Sequence, residues 1–241
     1  MKIALLGYGK MGKAVEAIAL QRGHSVGLHI DNDTDWQQQG DLLASCDVAI
    51  DFSLPSTVVG NIRRCFAAKV PVVVGTTGWY DHFETICNEC RQAQGALFTA
   101  TNFSIGMNIV FDLNRRLAQL INHAPGYKVT IEETHHIHKL DAPSGTAISL
   151  ANDILEQSNE WQQWQLVDDF SQPLPPATVP VHAIRKGEVA GIHTICYDSP
   201  IDTITLSHSA KNRTGLALGA MLAAEFLQER TGCFTMQDLL A

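Results

Sequence analysis

The sequence predicts an α/β protein: a Rossmann-type doubly wound parallel sheet, plus a second α+β domain with a mixed, mainly antiparallel sheet. Three observations carry that prediction. A short apolar run, Lys2 to Leu6, leads straight into a Gly-x-Gly-x-x-Gly turn and a helical pattern. Strand and helix patterns then alternate as far as Ala100. Near Ser104 this gives way to segments apolar at every second position, as in half-buried strands.

Each element can be justified in order. Lys2–Leu6 (KIALL) reads as a parallel strand buried on both faces. Gly7, Tyr8, Gly9, Lys10, Met11 and Gly12 form the turn, with glycines for tight bending, pyrophosphate approach and helix–strand contact. Lys13 to Gln21 is a helix with Val15, Ile18 and Ala19 on its apolar face, stopped by Gly23. Ser25 to Ile30 is a strand ending in Asp31, nineteen residues past Gly12, where a ribose-binding acid belongs. Asp31 favours ribose hydroxyls over a 2′-phosphate, whereas Lys10 and Lys13 favour the phosphate, so NADH and NADPH both remain open. Further strands at Asp47–Phe52, Val70–Gly75 and Ala96–Ala100 alternate with helices at Thr57–Ala68 and Phe83–Gln94. Ligands of open parallel sheets bind beyond the carboxyl ends of strands. Those ends carry Gly7–Gly12, Asp31, Ser53, Gly75–Thr76–Thr77 and Ala100–Thr101–Asn102–Phe103, the predicted cofactor rim.

Ser104 to Leu120 reads as a long helix, ended by a Pro-Gly turn within 122–126. Tyr127 to Glu133 alternates as an antiparallel strand does, and Thr146 to Leu155 reads as a helix. Residues 156–180 read as a polar, Pro-rich surface loop, with Trp161 and Trp164 covering an edge or a subunit contact. Val181–Arg185, Gly191–Tyr197 and Ile201–Ser209 follow as strands, with a hairpin turn at 185–188. Residues 213–227 form a strongly apolar helix expected to be buried against the first domain, and Phe234–Leu240 a short amphipathic tail. The expected domains are therefore 1–103, with 213–241 returning to it, and 104–212.

Composition narrows the function. The chain has 241 residues, 45% of them hydrophobic, enough for a substantial core. A net charge of −8 argues against a nucleic-acid partner. No apolar run reaches the roughly 18 residues of a membrane span, and Met1-Lys2 runs directly into a strand rather than a signal core. The six scattered cysteines read as reduced packing residues of a cytoplasmic protein; Cys87 and Cys90 have CxxC spacing but fall in a helical pattern.

The densest chemistry lies in Glu132 to Ala147, EETHHIHKLDAPSGTA. His135, His136, His138 and Lys139 offer protons or positive charge, and Gly145 and Thr146 lie in a turn at a helix start, which suits a carboxylate. Without an HExxH pair or a nearby cysteine, no metal is expected. Another two-domain oxidoreductase accounts for residues 1–100 equally well but leaves this stretch without a purpose. A redox-sensing binding protein that holds cofactor without turnover does not need it.

GYGKMG at 7–12, DFSLP at 51–55, GTTG at 75–78, NFSIGMN at 102–108 and HHIHKLDAPSGTA at 135–147, in this order, resemble the 4-hydroxy-tetrahydrodipicolinate reductase (dihydrodipicolinate reductase) family over most of the chain. The resemblance implies a homotetrameric NADH- or NADPH-dependent reductase acting on a small cyclic dicarboxylate. By motif, His135 would be the proton donor or acceptor and Lys139 the second proton donor, while His136, Gly145 and Thr146 would bind substrate. Gly7 to Gly12, Gly75 to Thr77 and Ala100 to Phe103 would bind cofactor, with Asp31 at the family's acidic position. Asn32 stands where an arginine often follows that acid.

Overall fold

The computed structural model describes residues 1–124, 126–212 and 214–241. In chain order it begins with β1 (Lys2–Leu6), α1 (Lys10–Gln21), β2 (Ser25–Ile30), α2 (Asp33–Gln39), β3 (Val48–Asp51), α3 (Val58–Ala68), β4 (Val72–Val74), α4 (Phe83–Gln92) and β5 (Ala96–Thr99). Then come α5 (Ile105–Ile121), β6 (Lys128–His135), α6 (Gly145–Gln157), β7 (Gln163–Val167), β8 (Thr178–Arg185), β9 (Ile192–Asp198) and β10 (Thr203–Ser209). The last elements are α7 (Thr214–Phe226), β11 (Gly232–Phe234) and α8 (Met236–Leu240). The chain divides into two compact units, Met1–Ile105 with Thr214–Ala241, and Gly106–Arg213.

The first unit is built on a parallel sheet of order β11-β5-β4-β3-β1-β2. Successive β1 side chains enter opposite layers. Ile3 and Leu5 pack with Val15 and Ile18 of α1 and Ala220 and Met221 of α7, whereas Ala4 and Leu6 pack with Ile62 of α3 and Ile86 of α4. Burial on both faces explains the unbroken apolar run, each of its isoleucine and leucine side chains stabilising the fold by about 1.5–3 kcal/mol. Helix α7 does pack within this unit; it shares a layer with α1, and Glu225 accepts from Arg22 and contacts His24, each at 2.8 Å. A Cβ on Gly219 would lie 1.7 Å from the Phe103 carbonyl, so this helix needs glycine there.

Some elements differ from expectation. Helix α1 starts at Lys10 because extended Gly9 is its cap, bringing the last residues of the glycine turn into the helix. Asn32 and Asp35 form a reciprocal cap that starts α2, a helix with no marked apolar face. The terminal tail is a strand as well as a helix: β11 pairs with β5, and Thr235 donates through its N–H and hydroxyl to Asp238 at the start of α8.

The second unit has a sheet of order β10-β9-β6-β8-β7, with α5 and α6 on one face. Its pairings divide evenly: β10–β9 and β9–β6 are antiparallel, β6–β8 and β8–β7 parallel. The sheet is mixed as expected, but the additional strand β7, lying within the expected 156–180 loop, removes the antiparallel majority. The 185–188 turn closes no hairpin, because β6 lies between β8 and β9. Trp161 is core, its ring centre 5.9 Å from that of Tyr197. The expected Pro-Gly turn involves Pro125 and the expected start of the last long helix involves Arg213; both lie outside the described residues.

Candidate active site

At the first unit's rim, glycines act by leaving space. Gly7, with φ of +91°, sits where a Cβ would be 2.3 Å from the Phe52 carbonyl, and a Cβ on Gly12 would be 2.3 Å from the Gly7 carbonyl. Around Gly9 there is open space. Helix α1 therefore begins at an open cradle, with no side-chain cap and no acid in its first turn, as an anion at a helix N-terminus requires. This fits the pyrophosphate of a nicotinamide dinucleotide. Gly9 leaves that approach open, while Gly12 keeps the helix close to the turn. The N–H of Tyr8 donates to Asp31 Oδ1 at 2.8 Å, fixing the acid beside the glycine turn.

Asp51 orders the neighbouring strand ends. Fully buried, it accepts from Ser53 N at 3.0 Å, Ser53 Oγ at 2.7 Å, Thr76 Oγ1 at 2.6 Å and Asn61 Nδ2 at 2.8 Å. Burial raises its carboxyl pKa above the ordinary range, although these hydrogen bonds pull it down. Thr76 thus uses its side chain internally, while Thr77 is exposed. A Cβ on Gly75 would strike the Phe52 ring at 2.1 Å. Phe103 is core, its ring packed on Phe52 and Phe98 and its carbonyl close against Gly219 of α7, so it shapes the rim from beneath. Asn102 Oδ1 accepts from Ser104 N, while Ala100 is partly buried and Thr101 exposed. Met11 and the Tyr8 ring pack at the edge of the core.

The second unit's site forms at the carboxyl end of β6. Alternation turns Glu133 and His135 to one buried face, and Glu133 is paired in register with His193 of β9. Glu133 Oε1 accepts from Ser144 N at 2.9 Å and Arg185 Nη2 at 3.2 Å. Its Oε2 lies 3.2 Å from His135 Nδ1 and 3.6 Å from His193 Nε2. Burial alone would raise the Glu133 pKa, but His135, His193 and Ser144 outweigh it and hold the carboxyl far below the usual range. Burial lowers the His193 pKa and favours its neutral form. With Nδ1 turned to Glu133, Nε2 is the His135 ring nitrogen directed away from the carboxylate.

Lys139 stands at the edge of this cluster, its Nζ 2.7 Å from Asp141 Oδ1. Arg185 donates to the carbonyls of Lys139 at 3.3 Å and Asp141 at 2.5 Å, tying their loop to Glu133. Backbone bonds from Lys186 N to His135 O and from Ile137 N to Gly187 O clamp the histidine stretch to the 185–188 turn. Ser144 caps α6, accepting from Ala147 N at 3.2 Å, and exposed Gly145 opens that helix with no atom within 4 Å of a Cβ position. His136 and Thr146 are partly buried; His138 is exposed and contacts Glu188 at 3.2 Å.

Sequence reasoning missed Glu133, Ser144, Arg185 and His193 as working residues. The period of two from His135 could have found Glu133, and a serine just before a helix start could have marked Ser144 as its cap; Arg185 and His193 depend on strand pairing. Ligand atoms of Glu133, His135 and His193 lie within 4.8 Å of one another, close enough to hold a metal ion. Arg185 on the same carboxylate would oppose a cation, so the cluster reads as a carboxylate-supported histidine pair.

The family model described as dihydrodipicolinate reductase, N-terminus, matches residues 1–103, and that described as dihydrodipicolinate reductase, C-terminus, matches 106–240. A 4-hydroxy-tetrahydrodipicolinate reductase of Christiangramia forsetii is 46% identical over 241 residues, covering 100% of this chain and 98% of the relative. One from Neisseria meningitidis serogroup B is 32% identical over 232 residues, 93% of this chain and 83% of the relative. The dipicolinate-bound dihydrodipicolinate reductase of a Paenisporosarcina species shares the fold at a TM-score of 0.76 and 20% identity, covering 98% of this chain and 97% of that one. With both halves matched in order, the chain belongs to the dihydrodipicolinate reductase family.

Proposed function

We propose that this protein reduces 4-hydroxy-tetrahydrodipicolinate to tetrahydrodipicolinate with NADH or NADPH and loss of water, in the diaminopimelate route to lysine. Family membership across both halves supports the reaction. The observation that carries its assignment to residues is the buried Glu133–His135 contact beside Lys139 and the start of α6. The first unit holds the cofactor through Gly7–Gly12, Asp31, Gly75–Thr77 and Ala100–Phe103. The second holds the substrate and the subunit contacts.

Loss of water from the substrate leaves a conjugated cyclic dicarboxylate. The nicotinamide cofactor, when bound, supplies the hydride. Hydride at carbon leaves an enamine-like carbanion, which must take up a proton. His135, its Nδ1 facing Glu133, exchanges that proton through Nε2, and Lys139 is the second donor. His136 and the Gly145–Thr146 turn bind the carboxylates, the turn through the donor end of α6. Dipicolinate, a planar dicarboxylate, tests the substrate half directly. Calorimetry should detect binding to the wild type and at least about tenfold weaker binding to Lys139→Ala, the loss of one charge-assisted contact. Equal affinity in the two proteins would remove Lys139 from the site.

The same unit offers a surface for the oligomer. Thr130 and Glu132 of β6, Thr194 and Cys196 of β9, and Thr205 and Ser207 of β10 alternate with the buried residues, placing them on the sheet face away from α5 and α6. Joining such faces would build the homotetramer. Free thiols at all six cysteines accord with a reducing, cytoplasmic setting.

A further inference from the structure

NADH and NADPH differ by one 2′-phosphate on the adenosine ribose, read at the turn after the second strand of a Rossmann fold. In this chain that turn is Asp31 and Asn32, running into the first turn of α2, Asp33 to Asp35. Asp31 is fixed by the Tyr8 N–H through one carboxylate oxygen, and the other can accept from ribose hydroxyls. The N–H groups of Asp31 and Asn32, which a 2′-phosphate could use, are already occupied. Asp35 Oδ2 accepts from Asp31 N at 2.8 Å and from Asn32 N at 3.2 Å. Asn32 Oδ1 in turn accepts from Asp35 N at 3.1 Å, completing the cap that starts α2.

We propose that Asp35 is a specificity-determining residue that makes NADH the preferred hydride carrier. Its carboxylate occupies the backbone donors that the 2′-phosphate of NADPH would otherwise use, and adds negative charge that repels that phosphate. A phosphate monoester carries roughly −1.5 to −2 charges at pH 7, and would meet Asp31, Asp33 and Asp35 within five residues. Asn32 offers no cation to offset them. Lys10 and Lys13 lie in the first turn of α1, beside the pyrophosphate cradle, with Lys13 Nζ 5.7 Å from the Tyr8 ring centre. Arg64 lies 4.5 Å over the Trp36 ring and donates to Asn61.

This inference rests on the reading that Gly7–Gly12 and Asp31 hold the dinucleotide. Calorimetric titration of the full-length protein with NADH and NADPH separately tests it in wild type, Asp35→Ala and Asp35→Asn. NADH should bind the wild type at least fivefold more tightly. Asp35→Ala should reduce that ratio at least threefold, mainly through tighter NADPH binding. Asp35→Asn keeps an oxygen for the two N–H groups without the charge; it should give a smaller reduction, and it decides the matter if Asp35→Ala does not fold. A wild-type ratio below fivefold, or one unchanged in a folded variant, overturns the role of Asp35 while leaving the cofactor site standing. Failure of the wild type to bind either dinucleotide overturns both.

Discussion

Glu133 keeps its charge at neutral pH in a place without water, because two histidines, an arginine and a backbone N–H surround it. Its folded pKa lies below the unfolded value of about 4.3. The stability it contributes is therefore present above that value and lost as pH falls through the folded pKa. Glu133→Gln should cost about 1–3 kcal/mol at pH 7, leaving charged and polar partners unmatched. Urea unfolding at pH 7 and pH 3.5 should find that cost smaller in acid; equal costs would mean that the charge is unimportant. His135→Gln and Lys139→Ala should each lower turnover at least about 10²-fold, the lower end for general acid assistance. Unchanged far-ultraviolet circular dichroism would separate that loss from unfolding. The histidines and Lys139 were legible because their density in one stretch is unusual. Arg185 was not, because its partners lie on a loop more than forty residues away in sequence.

Elements were legible where burial imposes a pattern. Strand β1 is buried on both faces and continuous in apolar residues, while β6 alternates and reads as such. Strand β7 was hidden because three of its five residues are exposed and its sequence is rich in glutamine. Strand β11 is three residues long and held by pairing with β5. Glycine contacts supply two tests at this scale. Gly9→Val should weaken dinucleotide binding with little loss of stability, since the space about Gly9 is open. Gly219→Ala should instead cost about 1–3 kcal/mol, the range for overpacking, by pushing α7 from the Phe103 carbonyl. Denaturant midpoints and cofactor titrations on both variants would distinguish them; a Gly219→Ala protein as stable as wild type would refute the close contact.

For the whole molecule, the change of pattern near Ser104 marked the passage from one kind of sheet to the other, and the five ordered motifs marked the family. Assembly was less legible, because the proposed contact face carries small polar side chains rather than an apolar stripe. Analytical ultracentrifugation should give a mass near four times 26.3 kDa; a monomer would remove the sheet face as a subunit contact. The most direct test of the central claim is a coupled assay in which the upstream synthase forms the substrate from pyruvate and aspartate semialdehyde. Wild type and His135→Gln would be followed by absorbance at 340 nm with NADH and with NADPH. The account predicts synthase-dependent oxidation by the wild type and at least about 10²-fold slower turnover by the variant. Near-equal turnover would contradict the role given to His135, and no synthase-dependent oxidation by a wild type that binds both cofactors would contradict the reaction itself.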